Sequence, residues 1–424
     1  MAKVAMFVFN DGRNDLRVHR QATLLGRAGY QVRVYCFLEP GLPQREQRDH
    51  YELVREDQRS SMTRFFDDQL ARLRKPRPSE AAPARALTLP PDREPVRPCV
   101  PPQRQLGHET PQAQEHRDYI KRINRVWADK ATAWRPDLVQ SHDLDALEAG
   151  VLVKRALGCP LIYDTHELWS EQPFINTIEA VAYWNLLEAE LLLEVDRVLT
   201  INQPLADELE SRYSLSSVLA LHNCQTLVTP DPGRRGHLAA RLGKPVALYQ
   251  GAYAPDRGLE QVIASAAHQD QVAIALRGFG HEEASLRAMP GAERVTFLEA
   301  VPSADIVAAA SEGDIGLIPF LPTCLNHYYS TPNKLFEYMM AGLPMAGSDI
   351  PEMRKFLAEN DLGVLFDPYS PGDIARALLE LADPARRQAM GARARRLAAE
   401  TYHWEHEGQK LLEAYARLMP AERR

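Results

Sequence analysis

Apolar residues fall along this chain in short runs separated by amphipathic stretches, the pattern of buried parallel strands alternating with helices. KVAMFVF (residues 3–9) and QVRVYCF (31–37) read as strands around a helix from Asp15 to Arg27 that ends at Gly29. The alternation returns with a helix around residues 119–132, strands at 137–141 and 160–163, a long helix over 178–195, and strands at 196–201 and 218–221. A second series opens with PVALYQ (245–250) and continues through strands at 272–276, 294–298, 314–320, 343–346 and 363–366. Helices over 372–382, 384–401 and 404–419 close the chain. The expected class is α/β, with two Rossmann-like sheets in succession.

The pattern breaks twice. Between residues 40 and 118 periodicity is lost, and Arg72 to Arg104 holds nine prolines and eight basic residues against three acidic ones. Such a stretch cannot bury a core and predicts an insertion in the first domain. Residues 225–244 lose periodicity again and read as a linker with one short helical piece. The expected domains are therefore 1–224, 245–401 and a terminal helix over 402–424.

Composition narrows the class. A chain of 424 residues with 45% hydrophobic and 25% charged residues is long enough for two α/β domains. The net charge of −7 gives no global footprint for nucleic acid. Five scattered cysteines (36, 99, 159, 224 and 324) show neither zinc spacing nor a disulfide framework and suit a reducing cytoplasm. No run approaches a membrane span, and the amino terminus enters a strand without a signal-peptide pattern. Cytoplasmic location is expected, with peripheral contact at the inner membrane face left open.

Candidate chemistry concentrates in residues 326–352, NHYYSTPNKLFEYMMAGLPMAGSDIPE. After the strand at 314–320, Thr331 is placed to cap a helix that begins at Pro332 and stops at Gly342. Unpaired amides at such a start attract anions; Lys334 adds a full charge, and Glu337 lies one turn deeper, beside Asn333 and Lys334. A cation-bearing helix start suits a diphosphate, and a carboxylate one turn on suits a sugar diol. Arg257 follows the strand at 245–250, and Arg277-Gly278-Phe279-Gly280 follows the next, so three cations are expected on one edge, with Gly278 allowing close approach to a ligand. In the first domain, Asp15 and Arg17 open a helix and either orient a substrate or cap and pair with each other. His142-Asp143-Leu144-Asp145 and Asp164-Thr165-His166-Glu167 each follow a strand. Asp143-x-Asp145 has the form of a metal clamp, but acidic residues at a helix start are ordinary capping chemistry, and no metal is expected.

These residues carry a resemblance. NDLRVHRQATLLGRAGYQV (14–32), DLVQSHDLDAL (137–147), LIYDTHELWSE (161–171), the YQG…RGLE turn (249–260), RGFG (277–280) and YSTPNKLFEYMMAGLPM (329–345) are similar, in this order, to family-four retaining glycosyltransferases of the GT-B fold. The resemblance implies two Rossmann-like domains facing across a cleft, a last helix returning to the first, and transfer of a sugar from a nucleoside diphosphate-sugar with retention. Glu337 matches the second Glu of the family's E-x7-E pair and implies contact with the donor ribose. The first falls at Tyr329, as in the subgroup carrying PNKxFEY, which leaves Tyr329, Ser330 and Asn326 as candidates for the donor sugar. Arg257 matches a diphosphate-binding Lys, the partner Arg falls at Gly251, and Arg277 or Lys334 is left to replace its charge. His166 matches a His beside the reacting carbon. The implied scheme uses Arg257, Lys334 and His166 in catalysis and Gly251, Arg277, Gly278, Tyr329, Ser330, Thr331, Asn333 and Glu337 for the donor. Asp15, Arg17 and His142 lie on the side of a glycan, lipid-linked or small-molecule acceptor. A sugar-nucleotide epimerase and a non-catalytic nucleotide- or glycan-binding subunit are the other classes compatible with the pattern.

Overall fold

The computed structural model describes residues 1–57, 110–230 and 232–419, which divide into two compact units. The first takes in residues 1–57, 110–221 and 408–419, and the second 222–230 and 232–407. The proline-rich part of the expected insertion lies outside the described residues.

In the first unit the strands are β1 (Lys3–Val8), β2 (Gln31–Leu38), β3 (Arg45–Gln47), β4 (Glu52–Asp57), β5 (Leu138–His142), β6 (Leu161–Asp164), β7 (Arg197–Thr200) and β8 (Leu219–Ala220). They form one sheet in the order β3-β4-β2-β1-β5-β6-β7-β8, parallel throughout except for β3 against β4. β3 and β4 correct the expectation that order ends near residue 40. The run ELVRED is too charged to read as a strand, yet Arg55 is fully buried there. Its guanidinium is satisfied in place by the carbonyls of Asp11 (3.0 Å) and Pro43 (3.1 Å) and by Glu46 (2.8 Å). Buried charge is tolerated when every donor finds an acceptor, and hydropathy cannot register that. The helix expected over 119–132 is also longer, Pro111–Trp134, capped by Thr110.

The second unit holds β9 (Val246–Gln250), β10 (Ala273–Arg277), β11 (Val295–Leu298), β12 (Ile315–Ile318), β13 (Met345–Ser348) and β14 (Gly363–Phe366). All are parallel, in the order β11-β10-β9-β12-β13-β14. This is the doubly wound 3-2-1-4-5-6 order, whose crevice opens at the carboxyl ends of β9 and β12, where the winding reverses. In the first unit the reversal lies between β1 and β5 by the same rule.

One helix, Asn333–Ala341, is drawn hard onto the second sheet. Tyr338 reaches across β12 to β9, where its hydroxyl accepts from the Gln250 amide and donates to the Leu248 carbonyl, both at 2.9 Å. It can do so because β12 carries Gly316 beneath its ring; a Cβ there would lie 2.3 Å from the ring. The start of this helix departs from expectation. Pro332 is the cap residue and supplies no side-chain bond, while the Thr331 hydroxyl donates to Glu352 (2.8 Å). Pro332 thus gives the amides of the first turn no side-chain bond of its own.

Candidate functional site

At the carboxyl edge of the first sheet, β5 and β6 deliver His142, Asp164 and His166 to one point. The loop before the helix Leu16–Arg27 brings Asp15 beside them. Asp164 is fully buried and receives Arg17 through two bonds (2.6 and 3.0 Å) and Gln21 through one (2.6 Å). Burial alone would raise its pKa, but Arg17, followed by His142 and His166, outweighs it and holds the carboxyl well below its usual range. His142 Nδ1 lies 3.3 Å from both Asp164 Oδ2 and His166 Nε2. On its other edge His166 is clasped by Asp143, which accepts from its backbone amide (2.8 Å) and faces Nδ1 at 3.2 Å. Burial disfavours an imidazolium, yet Asp143 and Asp164 raise the His166 pKa to about 9. Asp143 has φ +63°, a strained conformation for a non-glycine residue. The capping reading of Asp143-x-Asp145 is thereby corrected: Asp143 stands at the cap position of the short 3-10 turn Leu144–Ala146 but makes no side-chain bond to it, and its carboxylate instead holds His166. Burial and then Asp143 push the Asp145 carboxyl pKa well above its usual range.

Asp15 caps its helix by accepting from Val18 (3.1 Å) and takes a bond from Asn10 (2.9 Å). Burial raises its carboxyl pKa, but His166 and His142 lead the opposing effects and bring it below the usual value. Arg17 pairs with Asp164 and the Leu221 carbonyl (2.7 Å), not with Asp15. At 3% exposure it braces Asp164 and offers nothing to a substrate.

In the second unit, Lys334 and Arg257 meet at the reversal point. Lys334 Nζ lies 4.9 Å from the Tyr249 ring centre and 5.1 Å from that of Phe320, and the Arg257 guanidinium lies 4.4 Å over the same Phe320. Burial lowers the Lys334 pKa to about 8, Arg257 adds to the shift, and Glu337 opposes it. A Cβ on Gly251 would stand 3.5 Å from Lys334 Nζ, and with φ at +143° the position is closed to ordinary side chains. Arg277 does not join the two cations. Its guanidinium is consumed by Gln250 (3.1 Å), the Ala309 carbonyl (2.7 Å) and Glu312. Gly278 does permit a close approach, but of the neighbouring loop, since a Cβ would lie 1.9 Å from the Gly251 carbonyl oxygen. Glu337 is buried one turn beyond Lys334, and Asn333 accepts from Asn223 (2.9 Å). Tyr329 and Ser330 lie in the turn between the helices Leu325–Tyr328 and Asn333–Ala341.

Two family models account for most of the chain: a glycosyl transferase 4-like domain over residues 16–224 and glycosyl transferases group 1 over 244–383. The chain is a family-four glycosyltransferase. Among its relatives, an alpha-D-kanosaminyltransferase of Streptomyces kanamyceticus is 24% identical over 63% of this chain and 73% of its own. Sucrose-phosphate synthase from Thermosynechococcus elongatus matches with a TM-score of 0.72 at 16% identity, over 99% of both chains. HepE of Anabaena, solved with UDP and glucose, matches with a TM-score of 0.66 at 14% identity, over 98% of this chain and all of that one. These likenesses establish the GT-B fold.

The glycosyltransferase also uses residues that sequence reading passed over. Gln21 sits four residues after Arg17 on one helical face, and Gln140 is the lone amide in the buried run LVQSH. A polar side chain in a fully buried strand is the signal that marked Gln140; Gln21, on a helix, carried none beyond its spacing from Arg17. His327 was also passed over; it packs its ring on Phe320 and bonds to Thr323 (3.0 Å).

Proposed function

We propose that this glycosyltransferase moves a sugar from a nucleoside diphosphate-sugar to a hydroxyl acceptor with retention at the anomeric carbon and without a bound metal. One observation carries the reading: a helix start whose cap residue, Pro332, makes no side-chain bond sets the amides of Asn333 and Lys334 beside the Lys334 and Arg257 cations at the sheet's reversal point. Helix amides, a dipole and two cations together suit a diphosphate. Glu337, one turn deeper, is assigned to the ribose, and Tyr329, Ser330, Thr331 and Asn333 to the sugar end. Gly251 leaves room for the amine of Lys334, which supplies the charge that a family Arg would bring. That HepE was solved with UDP and glucose favours a uridine nucleotide as the first donor to try.

In the proposed step the bond from the anomeric carbon to the diphosphate breaks while a bond to the acceptor oxygen forms on the same face. The acceptor's proton passes to the departing phosphate oxygen. Catalysis then rests on stabilising charge on that leaving group, through Lys334, Arg257 and the helix amides. His166 is assigned to a hydroxyl of the transferred sugar or the acceptor, and Asp15 to the acceptor side. The three side chains His142, Asp164 and His166 are spaced as metal ligands are, with ligand atoms within 4.8 Å of one another. The Arg17 cation already bonded to Asp164 argues against a second cation there.

The test is release of UDP, GDP or dTDP from a panel of nucleotide sugars by the purified protein, with simple sugar acceptors added. NMR of the product's anomeric proton then reads the stereochemistry. Release from one donor, with the donor's configuration kept, is the expected result. Inversion would overturn retention. Binding without any release would leave a nucleotide-binding subunit.

A further inference from the structure

Beneath His166, within the first unit, lies a buried chain of hydrogen bonds whose direction is fixed from one end. Asp164 is ionised by its pairing with Arg17 and can only accept. Gln21 must therefore turn its Nε2 towards Asp164 (2.6 Å) and its Oε1 away. That oxygen is met by Nε2 of Gln140 at 2.6 Å. Gln140 is then oriented as well, and its Oε1 accepts from the hydroxyl of Tyr415 at 2.5 Å. The second hydrogen on Gln140 Nε2 faces His142 Nε2 at 3.3 Å, so that ring nitrogen has to accept. A neutral imidazole that accepts at Nε2 carries its proton on Nδ1, the atom 3.3 Å from Asp164 Oδ2.

We propose that Tyr415 and Gln140 lock His142 in its Nδ1–H tautomer, which makes Tyr415, on the last helix of the chain, a positioning residue for the His166 side of the site. The phenol is suited to the task because burial keeps it protonated and therefore a donor. Without its hydroxyl, the Gln140 oxygen would be a buried acceptor with no donor, a costly state. Half a turn of the amide is barred, because it would set Oε1 against the Gln21 oxygen 2.6 Å away; the side chain instead loses the anchor that holds its Nε2 against His142, and the ring nitrogen loses the donor that fixed it as an acceptor. The proton is then free to move to Nε2, where His142 no longer donates to Asp164, and Asp164 loses one of the contacts that hold it against His166. The consequence for turnover rests on the assignment of His166 under Proposed function; the tautomer itself does not.

The experiment uses full-length protein labelled with 15N in its histidine rings, and long-range 1H–15N correlation spectra, with His142 assigned by the loss of its signals in His142→Gln. The wild type should show His142 as the Nδ1–H tautomer, and Tyr415→Phe should show a mixture or the Nε2–H form. Should Tyr415→Phe fail to fold, Gln140→Met reads the same lock. An Nε2–H tautomer in the wild type, or an unchanged Nδ1–H form in both variants, overturns the proposal. In the transfer assay Tyr415→Phe should lower kcat about threefold to tenfold with KM for the nucleotide sugar within about twofold. An unchanged kcat beside an altered tautomer would overturn the link to turnover. A wild type that turns over no donor would overturn the proposed function and leave the tautomer result standing.

Discussion

Lys334 is the residue at which burial and charge conflict most directly. Its folded pKa, lowered to about 8, means that the cation is disfavoured in the empty protein and is rewarded when a diphosphate arrives. Affinity for a nucleoside diphosphate should therefore fall as pH rises through about 8, measured by calorimetry with UDP, GDP and dTDP in turn. Lys334→Arg, charged throughout, should flatten that dependence, and Lys334→Ala should weaken binding by about 10- to 100-fold at neutral pH. A flat profile in the wild type would remove Lys334 from the diphosphate. His166 shifts the opposite way. Its folded pKa, about 9, lies above the ordinary value near 6.5, so its protonation stabilises the fold fully below that ordinary value. The contribution disappears as pH rises through about 9. The charged groups that face it are Asp143, Asp164 and Asp15, with Arg17 and His142 behind Asp164. Urea unfolding at about pH 6 and about pH 10 should show wild type losing roughly 1–3 kcal/mol more than His166→Gln on going to the higher pH. Comparison with the variant cancels the titration of Lys334.

The helix Asn333–Ala341 shows how an element can be set by a contact remote from its own site. Tyr338 ties it to β9 across Gly316, and that tie holds Lys334 beside Tyr249 and Phe320. Tyr338→Phe leaves the buried Gln250 amide without its acceptor and should cost about 1–3 kcal/mol in unfolding free energy. Gly316→Ala should cost more, because the added methyl displaces the ring outright. Both should also weaken UDP binding, although neither residue is assigned to the nucleotide; full affinity in a folded Gly316→Ala protein would show that the tie does not set Lys334. The helix itself was legible in the chain because Pro332, Gly342 and the apolar run before them are local signals. The positions of Lys334 and His166 were legible for the same reason: each follows a buried strand. What lay hidden depends on residues far apart in sequence. Nothing near Arg277 announces that Gln250, Ala309 and Glu312 would consume its guanidinium, and nothing near Glu52 announces that β4 would join β2. Thr331 looked like a cap until Glu352 drew its hydroxyl away.

At the scale of the molecule, the chain order and the structural units disagree in one place among the described residues, and that place can be tested. Residues from Gly408 onward follow the whole second unit in sequence yet belong to the first. Glu407, the last residue before the change, accepts from the amide of His222, the first residue after the other change, at 2.9 Å. Beyond it, Leu411 and Tyr415 are fully buried, Tyr415 against Tyr30, with ring centres 5.8 Å apart, and on Gln140. A chain ended after Glu407 should therefore lose stability in the unit that lies at the other end of the sequence. Leu411, Tyr415 and Met419, three large buried side chains, amount to about 2–5 kcal/mol each by the usual cost of truncating a core residue, before the orphaned Gln140 is counted. Amide exchange should show the loss in β1, β5 and the helix Leu16–Arg27, with protection in β9 and β12 kept. Equal loss in both sheets would mean that the units do not unfold separately, and no loss in the first would mean that the last helix contributes nothing to its core. Because the same truncation removes Tyr415, the surviving protein should also show His142 freed from its single tautomer, a result that loss of stability alone does not produce in a sheet that remains folded.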